Sequence, residues 1–199
     1  MPARRLGLIA VVGLLVGVAT QIGQGILPDG LSQAANAISP WLLAAFLLGS
    51  RMPDRRSAAF AGIGALAFAL IGYYAMVQLR FGYGGSKNSL VLWGIAALIG
   101  GPVFGVAGWT WRFGSGWRRA GAIGLMAAVP IAEGLYLSRI LAEPAVGVGF
   151  VAVGLLVPLV FGRTMGERGR AYVAVLPALA LGAIGYIAFL WLATLTSML

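Results

Sequence analysis

Seven apolar stretches, each close to 20 residues long, limit what this chain can fold into more than any other feature. They cover approximately residues 6–27, 32–50, 57–79, 90–111, 119–140, 145–162 and 171–196. About 20 helical residues cross the ~30 Å apolar core of a bilayer, where only helices and closed barrels satisfy every backbone polar group. Strand-like alternation is absent. The sequence therefore predicts an all-α fold, a polytopic transmembrane helix bundle with about seven spans.

The composition is that of one integral membrane domain over residues 1–199. Hydrophobic residues make up 60% of the chain and charged residues only 10%, which is more apolar surface than a soluble domain of this size can bury. The chain contains no cysteine and no histidine. Disulfides, thiol nucleophiles, and zinc or haem sites built on these side chains are therefore excluded. We expect neither a metal nor a cofactor.

Two of the spans leave alternatives open. The first 19 residues, with "MPARR" before an apolar run and "GVA" at 17–19, loosely resemble a cleavable signal peptide. The apolar run continues to Leu27, which favours a retained first helix, whereas cleavage would leave six spans. The second span begins with the polar stretch "LSQAANAISP". Residues 31–40 therefore either cross the membrane or form a surface or re-entrant helix before a shorter crossing.

The positive charges divide unevenly between the two ends of the predicted bundle. Of the 14 lysines and arginines, only Arg80, Lys87 and Arg139 fall on one side, and the other 11 fall on the side of the N-terminus. The positive-inside rule then predicts an N-terminus inside and a C-terminus outside, with the positive side facing the cytoplasm. The net charge of +9 thus indicates contact with anionic lipid headgroups and not with nucleic acid.

Two loops on the positive side share a pattern of glycine, an acid and arginines, in "GSRMPDRR" (49–56) and "GRTMGERGR" (162–170). This pattern resembles the loop between neighbouring helices of major facilitator transporters, where such charges tie helix ends together. The chain is too short for that superfamily, so we interpret the pattern as a shared way of closing loops or as a trace of repeated helical hairpins. The charges expected to face headgroups or to tie loops are Arg51, Asp54, Arg55, Arg56, Arg112, Arg118, Arg119, Arg163, Glu167, Arg168 and Arg170.

Glu133 is a carboxylate inside the fifth predicted span and the main candidate functional residue. The span runs from Arg119 to Arg139, which places Glu133 roughly 9 Å below its outer end. An ionised carboxylate at this depth costs a few kcal/mol unless it is paired or hydrated. One interpretation pairs Glu133 with Arg139 at the helix end. The other places Glu133 in a polar pocket.

The pocket interpretation rests on polar and aromatic residues near the outer ends of the odd-numbered spans, above ladders of small residues. Small residues let helices pack closely, so the larger side chains above them predict an outward-facing polar and aromatic pocket around Glu133. Such a site favours a flat or cationic small molecule. The hypothetical ligand-binding residues are Glu133, Tyr136, Gln21, Gln24, Tyr73, Tyr74, Gln78 and Tyr186.

Three segments carry a resemblance to known proteins: "GYYAMVQLRFGYG" (72–84), "WGIAALIGGPVFGVAGWTWR" (93–112) and "IAEGLYLSRI" (131–140). They resemble a family of small uncharacterised bacterial integral membrane proteins. That family has no known activity, so the resemblance implies no catalytic residue. In architecture alone, the chain is similar to the substrate-binding subunits of energy-coupling-factor vitamin transporters.

Motifs of intramembrane enzymes are missing, since the sequence has no H-E-x-x-H, no G-x-S-x-G and no pair of aspartates within spans. We therefore predict a small-solute binding or transport component of the membrane. The alternatives are a non-catalytic structural or partner subunit of a membrane complex, and an enzyme acting on a lipid or envelope precursor with Glu133 as acid or base. The expected partners are the anionic bilayer, a small-molecule ligand, and a membrane partner subunit or a second copy of the chain.

Overall fold

The computed structural model describes residues 2–82 and 86–197, in which every regular element is an α-helix. Seven segments are long and apolar enough to cross a membrane. Six of them are single helices, and the second, Gly30–Gly49, combines two shorter helices. The predicted all-α bundle of seven spans is confirmed. The helices are α1 (Ala3–Ile26), α2 (Asp29–Ala35), α3 (Ser39–Gly49), α4 (Arg55–Phe81), α5 (Lys87–Phe113), α6 (Gly116–Arg139), α7 (Pro144–Phe161) and α8 (Met165–Ser197).

The helices form two groups around α4 and α6. The first group packs α1, α3 and α5 against α4, and the second packs α7 and α8 against α6. Glycines make the closest crossings: a Cβ added at Gly17 would overlap the backbone of Ala69, and one added at Gly62 would overlap the backbone of Gly101. In lipid, helices associate largely through such close van der Waals packing. The small residues of α1 and α4 therefore mark helix contacts.

The second span is broken between α2 and α3, at residues 36–38. Pro40 lies in the first turn of α3, where its missing N–H group leaves no intrahelical bond unmade. The same proline would interrupt a continuous helix through this region. The 11 residues of α3 extend about 16 Å, roughly half of the apolar thickness. Residues 29–35 thus form a short helix that is separate from α3, and the two helices together make up the second apolar segment.

The two loops with the shared glycine–acid–arginine pattern begin their helices in similar ways. Asp54 caps α4 by accepting hydrogen bonds from the N–H and the hydroxyl of Ser57, both at 2.8 Å. These bonds lower the pKa of Asp54 below its ordinary value, and the bond from the Ser57 N–H group has the larger effect. At α8, Thr164 accepts from the N–H of Glu167 at 3.2 Å, and the Glu167 carboxylate accepts from the N–H of Arg163 at 2.7 Å. The second arrangement resembles a capping box.

Arg119 and Glu167 form the one ion pair among residues 2–82 and 86–197. Their side chains are 3% and 9% exposed. Nε of Arg119 lies 2.8 Å from Oε1 of Glu167, which is an ion-pair distance, but the N–H group does not point at the oxygen as a hydrogen bond requires. The guanidinium also donates to the carbonyl of Phe161 at 3.2 Å and lies 5.8 Å from the ring centroid of Trp111. This buried pair therefore holds the start of α6 to the end of α7 and the start of α8.

The other charges of this end have fewer contacts. Arg168 donates from Nε to the carbonyl of Gly162 at 3.2 Å. Arg55 lies 5.0 Å from the ring centroid of Trp109, and Arg112 lies 5.7 Å from that of Phe113. Arg170 is half-buried. Arg51, Arg56, Arg118 and Arg163 are exposed.

Candidate functional site

A cavity of about 630 Å³ lies at the end of the bundle opposite the arginine-rich loops. Residues of α1, α3, α4 and α5 and of the break between α2 and α3 line it. Its aromatic lining comes from Trp41, Tyr73, Tyr74, Phe81 and Trp93. A cavity of this size with aromatic walls and a few polar groups is typical of small-molecule sites.

Hydrogen bonds connect the polar side chains of the cavity wall. The amide of Gln24 donates to Oδ1 of Asn36 at 2.5 Å, and the hydroxyl of Tyr73 donates to Oε1 of Gln24 at 3.1 Å. Arg80 donates from Nη1 to the main-chain carbonyl of Gln21 at 2.9 Å. These contacts join α1, the break in the second span and α4. Three segments of the chain are thereby held around one space.

The aromatic wall is also fixed by specific contacts. Trp41 donates from Nε1 to the hydroxyl of Thr20 at 2.8 Å, which orients its indole. Its ring centroid lies 6.1 Å from that of Tyr73, and Tyr73 meets Tyr74 edge-on at 5.3 Å. Tilted and edge-on arrangements at these distances are favourable for aromatic pairs. The rings therefore form a preformed surface and need little ordering when a ligand binds.

Arg80 is the only charged side chain that lines this cavity among the residues described. A guanidinium has five N–H donors, so the bond to Gln21 leaves others available. Gly25 provides the room for it, because a Cβ at this position would overlap the guanidinium. The same described residues contain no cluster of acidic side chains able to hold a metal ion. The cavity therefore presents positive charge.

Glu133 lies behind the cavity wall, where it caps the N-terminus of α3. One carboxylate oxygen accepts from the N–H of Ile38, and the other accepts from the N–H of Ser39 at 3.0 Å and from its hydroxyl. The first N–H groups of a helix lack intrahelical partners and carry partial positive charge. The hydrocarbon of a bilayer offers them no partner. Glu133 therefore satisfies a helix end inside the span and does not pair with Arg139.

The structure brings together only part of the predicted ligand-binding set. Gln21, Gln24, Tyr73 and Tyr74 line the cavity, which is not centred on Glu133 as expected. The reason is that α6 and α8 pack in the other helix group, away from α1 and α4. The other four predicted residues lie outside the lining. Glu133 caps α3, and Gln78 is exposed on α4. Tyr136 and Tyr186 are also exposed, and their ring centroids lie 6.3 Å apart.

Several lining residues lie outside the predicted set, among them Asn36, Trp41, Arg80 and Trp93. Asn36 lies in the break of the second span and Trp41 follows it, and the break turns them toward α1 and α4. A polar residue close to a proline within an apolar span is typical of a discontinuous helix next to a binding site. That pattern, "NAISP" at 36–40, is the signal in the sequence that points to them.

A second, smaller cavity of about 120 Å³ continues from the first toward the middle of the bundle. The two cavities share Ile38, Trp41, Leu70 and Trp93 in their walls. Residues of α3, α4 and α5 line the smaller one, and its remaining lining is apolar. Together they form a space that is polar at the end of the bundle and apolar inside.

Comparison with known proteins places the chain in a family. Residues 1–192 match the family of unknown function DUF6518, so the protein belongs to this family. The resemblance to an uncharacterised family, which the sequence suggests, is thereby confirmed. No curated protein and no solved structure matches the chain. Its function has to be inferred from the cavity and the helices that build it.

Proposed function

We propose that the protein is a small-solute binding component of a bacterial cytoplasmic membrane, acting in transport, with the cavity between α1, α3, α4 and α5 as its binding site. The observation that carries the proposal is the cavity itself. Its volume of about 630 Å³ falls within the range of roughly 300–1,000 Å³ that is usual for small-molecule sites. The hydrogen bonds and ring contacts of its walls support a site that exists before ligand arrives.

The charge distribution supports an orientation in which the cavity faces outward. The arginine-rich loops and the N-terminus lie on the cytoplasmic side under the positive-inside rule. The opposite end, where α1 and α4 end and α5 begins, then faces the outside. An outward cavity beside a discontinuous helix suits a protein that takes up solute, because discontinuous helices are common at transporter substrate sites.

The experiment that tests this proposal is native mass spectrometry of the full-length protein released from its own membrane into a mild detergent. We expect a defined small-molecule mass on the protein, retained until collisional activation removes it. A protein that carries no small molecule from any preparation, and is not stabilised by membrane extracts, would contradict the proposal.

A second candidate function is a partner subunit of a membrane complex, and α8 favours it. Within an apolar 18-residue stretch of α8 only 6% of the residues are buried, compared with 61% in the corresponding stretch of α6. Most of α8 therefore faces lipid or another protein. The same mass spectra decide between the candidates, because a stable protein partner without a small molecule supports a partner subunit. An enzymatic use of Glu133 as acid or base gains no support, since its oxygens are held by α3.

A further inference from the structure

We infer that the ligand of the cavity is an amphipathic anion whose acidic group binds Arg80 and whose apolar part passes Trp41 and Trp93 into the smaller cavity. This inference rests on the proposed solute-binding function and adds the chemical class of the ligand. Three features of the site lead to it: the sign of its charge, the position of its aromatic rings, and the apolar lining of its inner end.

The charge of the site selects an acidic group. Arg80 lines the cavity, and no acidic side chain does so among the residues described. The expectation of a flat or cationic ligand rested on aromatic faces around Glu133, whose carboxylate is bound to Ile38 and Ser39 behind the wall. A guanidinium binds carboxylates and phosphates through parallel N–H bonds.

The aromatic rings lie between Arg80 and the inner cavity. Trp41 and Trp93 line both cavities, whereas Tyr73 and Tyr74 line only the larger one with Arg80. A ligand held at Arg80 that extends inward therefore passes the faces of these rings. Aromatic side chains offer a large apolar contact area without competing for the acidic group.

The inner cavity requires an apolar ligand end. Leu42, Leu66 and Phe104 are among the side chains that line it. A polar group placed there would lose its hydrogen bonds to water without replacement, which is unfavourable by several kcal/mol in an apolar surrounding. Its volume of about 120 Å³ admits a short apolar chain. The site as a whole thus matches a molecule with one charged and one apolar end.

The probes for the test are a homologous series of ω-bromoalkanoates and the ω-bromoalkanols of the same chain lengths. Bromine quenches tryptophan fluorescence on contact, and Trp41 and Trp93 line the inner cavity. The full-length protein is held in lipid nanodiscs, and partition into protein-free nanodiscs is subtracted. We expect affinity to rise roughly fourfold per methylene until the inner cavity is filled, and acids to bind at least about tenfold more tightly than alcohols.

Two variants separate the charged end of the site from the apolar end. Arg80→Gln removes the charge, so the preference for acids over alcohols should fall about tenfold while alcohols bind as before. Gly100→Leu fills the inner cavity, where a Cβ meets Leu42 at 3.7 Å and Leu66 at 3.9 Å, both ordinary contacts. In Gly100→Leu the rise in affinity should therefore stop at a shorter alkyl chain of the probe. Gly94→Leu on the same helix serves as the matched control, because a Cβ at this position meets nothing within 4 Å.

The outcomes distinguish this inference from the function on which it rests. Equal binding of acids and alcohols, or an unchanged acid preference in Arg80→Gln, would overturn the anionic ligand and leave a solute-binding protein. An unchanged chain-length limit in Gly100→Leu would overturn the apolar end. No specific quenching by any probe, together with no small molecule in native mass spectra, would overturn the proposed function itself.

Discussion

The carboxylate of Glu133 on α6 caps α3 through Ser39, a residue 94 positions earlier in the chain. This contact joins the helix group around α6 to the group around α4. It also explains why a chain with five acidic residues keeps one of them inside a span. The broken second span leaves N–H groups within the membrane, and a carboxylate satisfies them where water cannot.

Replacing Glu133 with glutamine should therefore destabilise the fold. The amide keeps the shape of the side chain, but one of its two ends is no longer an acceptor and the charge that opposes the α3 dipole is lost. We expect a loss of about 1–3 kcal/mol, the usual effect of an unmade buried hydrogen bond. Thermal unfolding of both proteins in one detergent measures it.

The control for this prediction is Arg139, the partner of Glu133 in the alternative interpretation. Arg139→Gln should leave the unfolding temperature nearly unchanged, and the double variant should behave like Glu133→Gln alone. If the double variant instead regains the stability of the parent, the two side chains are partners and the capping assignment is wrong.

The close backbone contact at Gly62 predicts that the crossing of α4 and α5 tolerates no larger side chain at this position. In Gly62→Ala the new Cβ would lie 2.7 Å from the carbonyl carbon of Gly101, a backbone atom that cannot move alone. We expect a loss of about 1–3 kcal/mol in unfolding free energy from overpacking. Gly121→Ala is the matched control, since a Cβ at that helical position meets nothing within 4 Å. Equal stability of both variants would show that the crossing is looser than described.

The Asp54 cap predicts a dependence of stability on pH. Its pKa is lowered in the folded protein by the hydrogen bonds from Ser57. The stabilisation is therefore fully present above the unfolded pKa of this carboxyl and disappears as the pH falls through its folded pKa. Asp54→Ala should be less stable than the parent at neutral pH, and the difference should shrink in acid. A difference that grows in acid would contradict this sign.

The orientation of the bundle can be tested with single cysteines, because the natural chain contains none. We expect Ser115→Cys and Gly166→Cys to be shielded from an impermeant thiol reagent in intact cells, and Ser86→Cys to react. All three positions are exposed, so burial does not explain a lack of labelling. Permeabilised cells, in which every site should react, provide the control. Reversed labelling in intact cells would place the cavity on the cytoplasmic side.

The spans could be predicted because apolar length is a local property of the sequence. Even the break before Pro40 leaves a local sign in the polar stretch from Ser32 to Ser39. The cavity could be predicted only in part, because its position depends on which helices are neighbours. Gln24 and Tyr73 lie on helices that pack together, whereas Tyr186 lies at a similar depth on a helix of the other group.

Two features of the site depend on packing that no periodicity reveals. Arg80 looks like a loop charge in the sequence, yet its side chain folds back over Gly25 to reach the carbonyl of Gln21. Glu133 looks like a pocket residue, yet the nearest unsatisfied donors belong to α3. In both cases the decisive partner is a backbone group, and the sequence gives no record of where a distant backbone lies.

The most direct measurement of the solute-binding claim compares two tyrosines by native mass spectrometry. Tyr74 lines the cavity, whereas Tyr136 lies outside it on α6. We predict that the parent and Tyr136→Leu carry the same small molecule from the membrane and that Tyr74→Leu carries little or none, while all three unfold at similar temperatures. A ligand that stays with Tyr74→Leu and leaves Tyr136→Leu would contradict the assignment of this cavity as the binding site.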